Sequence, residues 1–327
     1  MRRRQFMGAL GGAAAWPLAA HAQQIDQMRK IGLLLSWGES EPEARVWIGA
    51  FVQRLSELGW TDGRNIRMDY RWGAGDANRI RTFAAELVAL KPDLILGNTT
   101  TVLATLKEAT STIPIVFLQV SDPVAGGFVA SLARPGGNIT GFTTFEYPIA
   151  GKWLEMLKEF APATARALVI GNSKSPSWSG YMSTTGSVAQ SLGIQMIPAG
   201  VSDSAEIECA IDSFAQESKG ALVVIPDNLT LFNRDRLVAM AALHRLPATY
   251  PYRNFVTGGG LISYGPESVD LYKRAAAYVD RILKGKKASD LPIQAPVKFE
   301  MVINLKTAKA LGLTVPETLL VTADVIE

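Results

Sequence analysis

Short apolar runs alternate with longer amphipathic segments along the chain from Lys30 onward. Five of the runs are mainly apolar and do not alternate with polar positions, which is typical of parallel strands that are buried on both faces. These five runs are 31–35, 93–97, 113–120, 167–171 and 221–226. A further run, 66–72, alternates apolar and polar positions and predicts a half-exposed strand near the edge of a sheet. Strands that alternate with helical segments predict doubly wound α/β sheets.

The segments between the runs have the spacing of helices. Ser40 and Glu43 predict a capping box at the beginning of the first helix. The alternation of strands and helices occurs twice, over about 30–144 and about 166–250. We therefore expect two α/β lobes in series, with the boundary near Phe145.

Polar residues follow the predicted strands, at the edge where open parallel sheets bind their ligands. These positions are Ser36, Asn98, Thr99, Thr100, Ser121, Asp122, Asn172, Asp227 and Asn228. Each one alone is also a common helix cap, but five such loops at one edge of two lobes favour a ligand cleft. Hydroxyl groups and helix N-termini can bind a carboxylate there, and Asp122 and Asp227 can bind an ammonium group. The sequence therefore predicts a site for a zwitterion, and Asp227→Ala is expected to lower affinity without changing the melting temperature.

Reactive side chains are few, which favours a binding protein over an enzyme. Cys209 is the single cysteine and is interpreted as a small buried residue on a helix. His244 is the single imidazole after residue 22 and is interpreted as a residue at a helix end. We expect no metal site, no cofactor and no catalytic triad. The alternative is a secreted hydrolase or isomerase that uses Asp122 and Asp227 as a carboxylate pair.

The N-terminal segment has the pattern of a signal peptide, residues 1–22. A basic beginning and an apolar stretch precede Ala20-His21-Ala22, which matches the small-x-small motif of signal peptidase. We expect cleavage after Ala22 and a periplasmic mature protein. Arg3-Arg4 resembles a twin-arginine signal, and the general secretory route is the alternative. The apolar stretch 6–20 is too short and too rich in glycine to span a membrane, so a membrane-embedded protein is not expected.

The charge of the chain changes when this segment is removed. The formal net charge of +3 falls to zero without Arg2, Arg3 and Arg4. A neutral chain gives no electrostatic reason to expect a nucleic acid as a partner. We expect a monomer that binds a small-molecule ligand.

Five stretches of the sequence carry a family resemblance. They are LSELGWTDGRNIRMDYRW, ALKPDLIL, IPIVFLQVSDPVAGGFVASLARPGGNITGF, GGLISYG and VINLKTAKALGLTVP. Together they resemble the ABC-transporter solute-binding proteins related to the tryptophan/tyrosine uptake family. The resemblance implies a type I periplasmic-binding-protein fold, in which a hinge of three crossings joins two lobes and the ligand lies between them. It implies a first lobe of 28–144 plus about 266–288, and a second lobe of 145–265 plus about 289–327.

The resemblance also implies ligand-binding roles for residues in the matching loops. The implied positions are Ser36, Trp37, Asn98, Thr99, Thr100, Ser121, Asp122, Asn172, Asp227, Asn228 and Tyr264. Four positions of the first lobe are implied to hold a carboxylate, namely Asn98, Thr99, Thr100 and Ser121. In the second lobe, Asp227 with Asn228 is implied to hold an amino group. Tyr264 is expected near a hinge. The segment NSKSPSWSGY, which contains Asn172, departs from the Asn-Pro pattern of the family.

The expected function is that of an extracytoplasmic solute-binding protein of an ABC importer. Such a protein closes on a small organic solute, here an amino acid or an aromatic zwitterion, and passes it to a permease that an ATPase drives. A ligand-sensing partner of a membrane receptor is the alternative within the binding class.

Overall fold

Two β-sheets organise residues 28–327, the part of the chain that the computed structural model describes. The first sheet is parallel, with strand order β2-β1-β3-β4-β5. Its strands are β1 (Arg29–Leu35), β2 (Ile66–Trp72), β3 (Leu94–Asn98), β4 (Ile115–Val120) and β5 (Ile139–Thr143). The strand with alternating polarity, β2, lies at the edge, as its pattern predicts. The helices along this part of the chain are α1 (Pro42–Glu57), α2 (Ala77–Ala89) and α3 (Thr100–Ala109).

The second sheet has seven strands in the order β12-β11-β10-β9-β8-β6-β7. They are β6 (Arg166–Asn172), β7 (Gln195–Val201), β8 (Gly220–Val224), β9 (Ala248–Tyr250), β10 (Ile262–Pro266), β11 (Phe299–Asn304) and β12 (Asp324–Ile326). The β10–β11 pair is antiparallel, and the other pairs of this sheet are parallel. The expected two-lobed α/β architecture is thus confirmed.

Helices cover both sheets and continue along the second half of the chain. They are α4 (Ile149–Phe160), α5 (Trp178–Ser191), α6 (Ser204–Phe214), α7 (Asn228–Phe232), α8 (Arg234–Leu243), α9 (Arg253–Thr257), α10 (Ser268–Leu283), a 3₁₀ turn (Ala288–Asp290), α11 (Leu305–Leu311) and α12 (Glu317–Leu320). No helix among the described residues is both long enough and apolar enough to cross a membrane. The expected signal peptide, 1–22, lies outside the described residues.

The chain passes between the lobes three times. It leaves the first sheet after β5, returns to it through α10, and reaches the second sheet again at β11. Helix α10 belongs to the first lobe because its apolar face, with Leu271, Tyr272 and Val279, is buried against the core of that lobe. Segments that are distant in sequence therefore share one hydrophobic core.

The third crossing lies further along the chain than the expected boundary at residue 289. Ile293 is buried in the core of the first lobe. Gln294 bonds with the backbone of β5, donating to Gly141 O at 3.1 Å and accepting from Thr143 N at 3.0 Å. Residues 289–294 therefore stay with the first lobe, because Ile293 packs in its core and Gln294 bonds to its edge strand, and the crossing follows Gln294.

Of the predictions for Cys209 and His244, the one for Cys209 is wrong. Cys209 is exposed rather than buried. It lies on α6, whose buried face consists of Ile207, Ile211 and Phe214. His244 does end α8 as predicted, and its Nε2 atom lies 2.6 Å from Asp212 Oδ1.

A further correction concerns the beginning of α1. The predicted capping box of Ser40 and Glu43 is wrong. The helix begins at Pro42, and Glu41 occupies the cap position without any hydrogen bond from its side chain. Proline suits the first helical position because its ring fixes φ and its missing N–H group would be unpaired there. In contrast, Asp76 caps α2 and Asp203 caps α6, and each accepts two backbone N–H groups.

These caps give a matched stability test. Asp76→Ala and Asp203→Ala should each lower the free energy of unfolding by about 1 kcal/mol, because each leaves backbone donors of a first helical turn without a partner. Glu41→Ala should have almost no effect. Urea denaturation followed by circular dichroism measures all three variants, and an equal loss in Glu41→Ala would contradict the assignment of the caps.

Candidate functional site

A small cavity lies between the lobes, where the carboxyl ends of the strands of both sheets meet. Its volume is about 20 Å³. The first lobe contributes Thr99, Thr100, Thr101, Gln119 and Ser121, and the second contributes Ser175, Pro226, Asp227, Asn228, Leu231 and Tyr252. We call this space the interlobe cavity. Most of these residues are polar, so the cavity suits a ligand with several polar groups.

Gln119 is a buried polar residue in the wall of the interlobe cavity, with 6% of its surface exposed. It lies near the end of β4, where the pairing with β5 is irregular between Phe117 and Val120. Its backbone has φ of +54°, which is uncommon for a residue other than glycine. Its side-chain Nε2 has no hydrogen-bond partner among the described residues.

A hydrogen-bond network determines which atom of Gln119 points away from its neighbours. The backbone N–H of Ser36 donates to Asn98 Oδ1 at 2.8 Å. Because a backbone N–H can only donate, this contact fixes the orientation of the Asn98 amide. Asn98 Nδ2 then donates to Gln119 Oε1 at 3.3 Å. The Gln119 Nε2 group is left free to donate to a ligand.

Thr99 and the N-terminus of α3 form a second group of donors. Thr99 is 8% exposed, and its hydroxyl has no hydrogen-bond partner among the described residues. It occupies the cap position of α3 without a side-chain cap bond, and its φ is +67°. The N–H groups of a first helical turn have no partners within the helix and carry partial positive charge. This end of the interlobe cavity therefore suits an anionic group.

Three residues in or near the cavity wall have a positive φ. Thr99, Gln119 and Asp122 have φ values of +67°, +54° and +35°. Such conformations cost on the order of 1–3 kcal/mol each and persist where the surrounding structure imposes them.

The second lobe presents an acidic group. Asp227 caps α7 in a capping box, in which its Oδ1 accepts from Thr230 N at 2.9 Å. Its Oδ2 accepts from Asn172 N at 2.6 Å. Burial raises the pKa of Asp227 to about 6, because the loss of hydration outweighs these hydrogen bonds. Beside it, the buried Asn228 Oδ1 has no partner among the described residues.

The lobes are closed on each other. Ser121 Oγ lies 2.9 Å from the hydroxyl of Tyr181, a buried residue of α5 in the second lobe. Phe232 of the second lobe packs so closely against Gly75 of the first that a Cβ atom at Gly75 would lie 2.8 Å from the ring. These two contacts hold the lobes together.

The structure brings five of the eleven predicted site residues to the cavity wall. They are Thr99, Thr100, Ser121, Asp227 and Asn228. Two more, Ser36 and Asn98, are fully buried behind the wall and position Gln119 through the network described above. These two act through a neighbour rather than by lining the cavity.

The other four predicted residues have different contacts. Trp37 packs in the core of the first lobe, with its ring 4.8 Å from that of Trp47. Tyr264 stacks on Phe299 at 5.5 Å. Asp122 Oδ1 accepts a hydrogen bond from the backbone N–H of Ala125, in its own turn, at 2.9 Å. Asn172 Oδ1 likewise accepts from the backbone N–H of Lys174 at 2.9 Å. The backbone N–H of Asn172 donates to Asp227. None of the four is part of the cavity wall.

Six further residues of the cavity wall are not among the eleven predicted site residues: Gln119, Thr101, Ser175, Pro226, Leu231 and Tyr252. Gln119 carried a usable signal, because it is a single amide within an otherwise apolar strand. Leu231 carried none, since an aliphatic residue after a strand is as common in a core as in a cleft.

Two lobes that close over a polar cavity at the carboxyl ends of their strands define the class of hinged solute-binding proteins. Residues 41–326 match the family model for ABC transporter substrate binding proteins. The chain therefore belongs to the ABC transporter substrate-binding protein family, as the resemblance implies.

Individual relatives agree with this assignment. The chain is 29% identical over 263 residues to a tyrosine-binding protein of Clostridioides difficile (strain R20291), which covers 80% of this chain and 75% of the relative. A structure from Streptococcus pneumonia in complex with L-Trp superposes with a TM-score of 0.85, at 26% identity, over 92% of this chain and 100% of that one.

A third comparison bears on the state of the hinge. The ligand-free, open structure of a substrate-binding protein with adhesive properties from Clostridium difficile is also 26% identical and covers 92% of this chain and 99% of that one. Its TM-score is 0.68. At equal identity and coverage, the arrangement of the lobes here is closer to that of the complex with L-Trp, in agreement with the contacts between the lobes.

Proposed function

We propose that the protein binds an aromatic L-amino acid in the interlobe cavity and delivers it to an ABC permease. The observation that carries this proposal is a set of three buried polar atoms without partners in one cavity: Gln119 Nε2, Thr99 Oγ1 and Asn228 Oδ1. A buried polar group without a hydrogen bond costs about 1–3 kcal/mol. Three in one wall are explained by a ligand that satisfies them.

The two ends of a zwitterion match the two lobes. On the first lobe, Gln119 Nε2, the Thr99 hydroxyl and the N-terminus of α3 offer donors to a carboxylate. On the second lobe, Asp227 and Asn228 Oδ1 offer acceptors to an ammonium group. A ligand that bridges the lobes in this way interacts better with the closed state than with the open one, and this difference is what drives closure.

The hinge must open to admit the ligand. The interlobe cavity holds about 20 Å³ in the closed arrangement, which is the space of about one water molecule. An amino acid therefore enters when the lobes separate, and the lobes settle around it with a wider spacing at the cavity.

Apolar walls support an aromatic side chain. Tyr252, Leu231 and Pro226 form the apolar part of the cavity, all from the second lobe. Tyrosine and tryptophan are the ligands named for the relatives from C. difficile and S. pneumonia. The expectation of an aromatic side chain on the ligand is carried over from these relatives. The polar residues of the cavity account for the carboxylate and the ammonium group of the ligand.

The partners follow from the family. Proteins of this family bind a small molecule and work with the other components of a transporter outside the cytoplasm. For this chain, we infer export through the signal segment 1–22, a monomeric mature protein in the periplasm, and delivery to a permease with its ATPase.

Isothermal titration calorimetry with L-Trp and L-Tyr tests the proposal. We expect a dissociation constant in the micromolar range for at least one of them, which corresponds to a binding free energy of about −8 kcal/mol. Tryptamine lacks the carboxylate and indole-3-propionate lacks the ammonium group, so each should bind at least about 100-fold more weakly. Equal affinity for tryptamine, or no binding of either amino acid at millimolar concentration, would refute the proposal.

A further inference from the structure

Helix α7 connects the interlobe cavity to a contact between the lobes. Its N-terminal end carries Asp227 and Asn228, which line the cavity. Its last residue, Phe232, reaches the other lobe and packs there against the core that contains Trp37. The helix is only five residues long. The group that faces the cavity and the group that contacts the first lobe are therefore little more than one helical turn apart.

The first lobe receives Phe232 in a closely fitting slot. Gly75 forms one side of the slot, and its lack of a side chain lets the ring approach, since a Cβ atom there would lie 2.8 Å from two ring carbons. The indole rings of Trp37 and Trp47 line the space beside Phe232, which has a volume of only about 10 Å³. Such a space holds at most about one water molecule. We call the contact of Phe232 with this slot the interlobe latch.

An ion pair lies next to the interlobe latch. Arg234, two residues after Phe232, lies 3.7 Å from Glu43 of α1 in the first lobe. The two side chains are 20% and 31% exposed, and a partly exposed pair at this distance contributes little. The aromatic contact is therefore the main part of the contact between the lobes here, and the ion pair is a minor part.

Hydrogen bonds connect the slot to the donor side of the interlobe cavity. The backbone N–H of Gly75 donates to Ser36 O at 2.7 Å, and the N–H of Ser36 donates to Asn98 Oδ1 at 2.8 Å. Asn98 in turn holds Gln119, the proposed donor to the amino acid. Docking of Phe232 therefore places the acceptors of α7 at a defined distance from these donors.

We propose that Phe232 is a positioning residue that sets the affinity of the interlobe cavity without contacting the bound amino acid. This inference rests on the proposed function, because it concerns the same cavity. The interlobe latch joins the two lobes, so it is made in the closed state and lost when the hinge opens. It thus raises the population of the closed state. An amino acid that binds the closed state is then held more tightly by the same factor.

Double electron–electron resonance between two nitroxide labels measures the closed population without any amino acid. Cys209, which is exposed on α6 of the second lobe, takes one label. Arg81→Cys, at an exposed position of α2 in the first lobe, provides the other. In this background, Phe232→Ala should lower the ratio of closed to open molecules by about tenfold, because an apolar aromatic contact is lost from the closed state alone.

Calorimetry with L-Trp measures the consequence for binding. The affinity of Phe232→Ala should fall by the ratio of the closed fractions that resonance gives for the wild type and the variant. A merely structural role of Phe232 would not produce this equality. Arg234→Gln should lower the affinity only about twofold. Leu243→Ala changes an exposed apolar residue of the second lobe and should bind as the wild type does.

A double-mutant cycle locates the interlobe latch in the slot. Gly75→Ala places a Cβ atom against the ring of Phe232 and should weaken L-Trp by about tenfold. In Phe232→Ala no ring is present, so Gly75→Ala should then change the affinity by less than about twofold. The φ of residue 75 is +76°, and the strain of alanine there affects the open and closed states alike. Additive effects of the two substitutions on affinity would overturn the assignment of the slot.

The outcomes are distinct from those of the proposed function. If L-Trp fails to bind but Phe232→Ala lowers the closed fraction, the interlobe latch is supported and the proposed amino acid is wrong. If L-Trp binds but the closed fraction is the same in the wild type and in Phe232→Ala, the interlobe latch is overturned and the proposed function stands.

Discussion

Replacing Gln119 by Glu is expected to weaken the binding of the amino acid by about 100-fold or more. In the wild type, Asn98 Nδ2 fixes the Oε1 atom of Gln119 and leaves Nε2 to donate toward the cavity. Glutamate has the same shape and can still accept from Asn98. Its second oxygen, however, would meet the carboxylate of the ligand. The loss of a hydrogen bond to a charged group, about 1.5–3 kcal/mol, adds to the repulsion between like charges.

A second substitution separates the two effects. Gln119→Leu removes the donor without adding charge, so its affinity should fall by about tenfold and remain above that of Gln119→Glu. Gln190→Glu changes an exposed glutamine on α5 and should leave the affinity unchanged. Calorimetry with L-Trp measures all three, with circular dichroism as the check of folding.

The order of the two Gln119 variants decides the polarity of the ligand. If Gln119→Glu binds more tightly than Gln119→Leu, the ligand presents its ammonium group to the first lobe. That result would reverse the assignment of the two ends, even though the amino acid still occupied the interlobe cavity.

The sheets could be predicted from the sequence because burial on both faces of a strand leaves a local mark. The runs that became β1, β3, β4, β6 and β8 are mainly apolar without alternation, and each strand is almost fully buried. The alternation in β2 marks an edge for the same reason, since one of its faces meets the solvent. These signals lie within single strands, so no knowledge of distant contacts is needed.

The position of the site could be predicted, but its composition only in part. Parallel sheets bind ligands beyond the carboxyl ends of their strands, and the cavity lies there. Which polar residue reaches the cavity depends on contacts across the sheet. Ser36 and Asn98 are 62 residues apart and bond to each other behind the wall. A sequence read one loop at a time assigns both to the ligand.

Aromatic residues show the same limit. Trp37 lies two residues beyond the end of β1, but its ring packs against Trp47 and Tyr272 in the core of the first lobe. Tyr272 comes from α10, more than two hundred residues later in the chain. The direction of an aromatic side chain at a strand end is decided by such partners, and local pattern does not contain them.

Asp227 differs from the sequence-based expectation in its effect on stability. The expectation that Asp227→Ala leaves the melting temperature unchanged conflicts with the hydrogen bonds of its carboxylate. These bonds cap α7 and hold the N–H of Asn172 at 2.6 Å. Removal of a cap costs about 0.5–2 kcal/mol, and a buried donor left unpaired costs about 1–3 kcal/mol. Asp227→Ala should therefore lower the free energy of unfolding by about 2 kcal/mol or more. It should also lower the affinity for the ligand.

The pH dependence of the wild type separates these two roles of Asp227. The pKa of Asp227 is raised from 3.8 to about 6 in the folded protein. Between these values the folded state holds more protons than the unfolded state, so the contribution of this group to stability falls as pH rises from about 4 to about 6. The affinity for the ligand has the opposite pH dependence. An ammonium group needs the ionised carboxylate, so affinity rises over the same window.

The affinity for L-Trp should therefore increase by about tenfold from pH 5 to pH 7, because the ionised fraction of a group with pKa of about 6 changes by that factor. The charges of the ligand itself are constant in this range. In Asp227→Ala, the affinity should be lower at pH 7 and nearly independent of pH. Calorimetry at pH 5, 6 and 7 with both proteins measures the effect, alongside urea denaturation at the same pH values. A wild-type affinity that stays constant from pH 5 to pH 7 would show that the carboxylate of Asp227 does not hold the ammonium group.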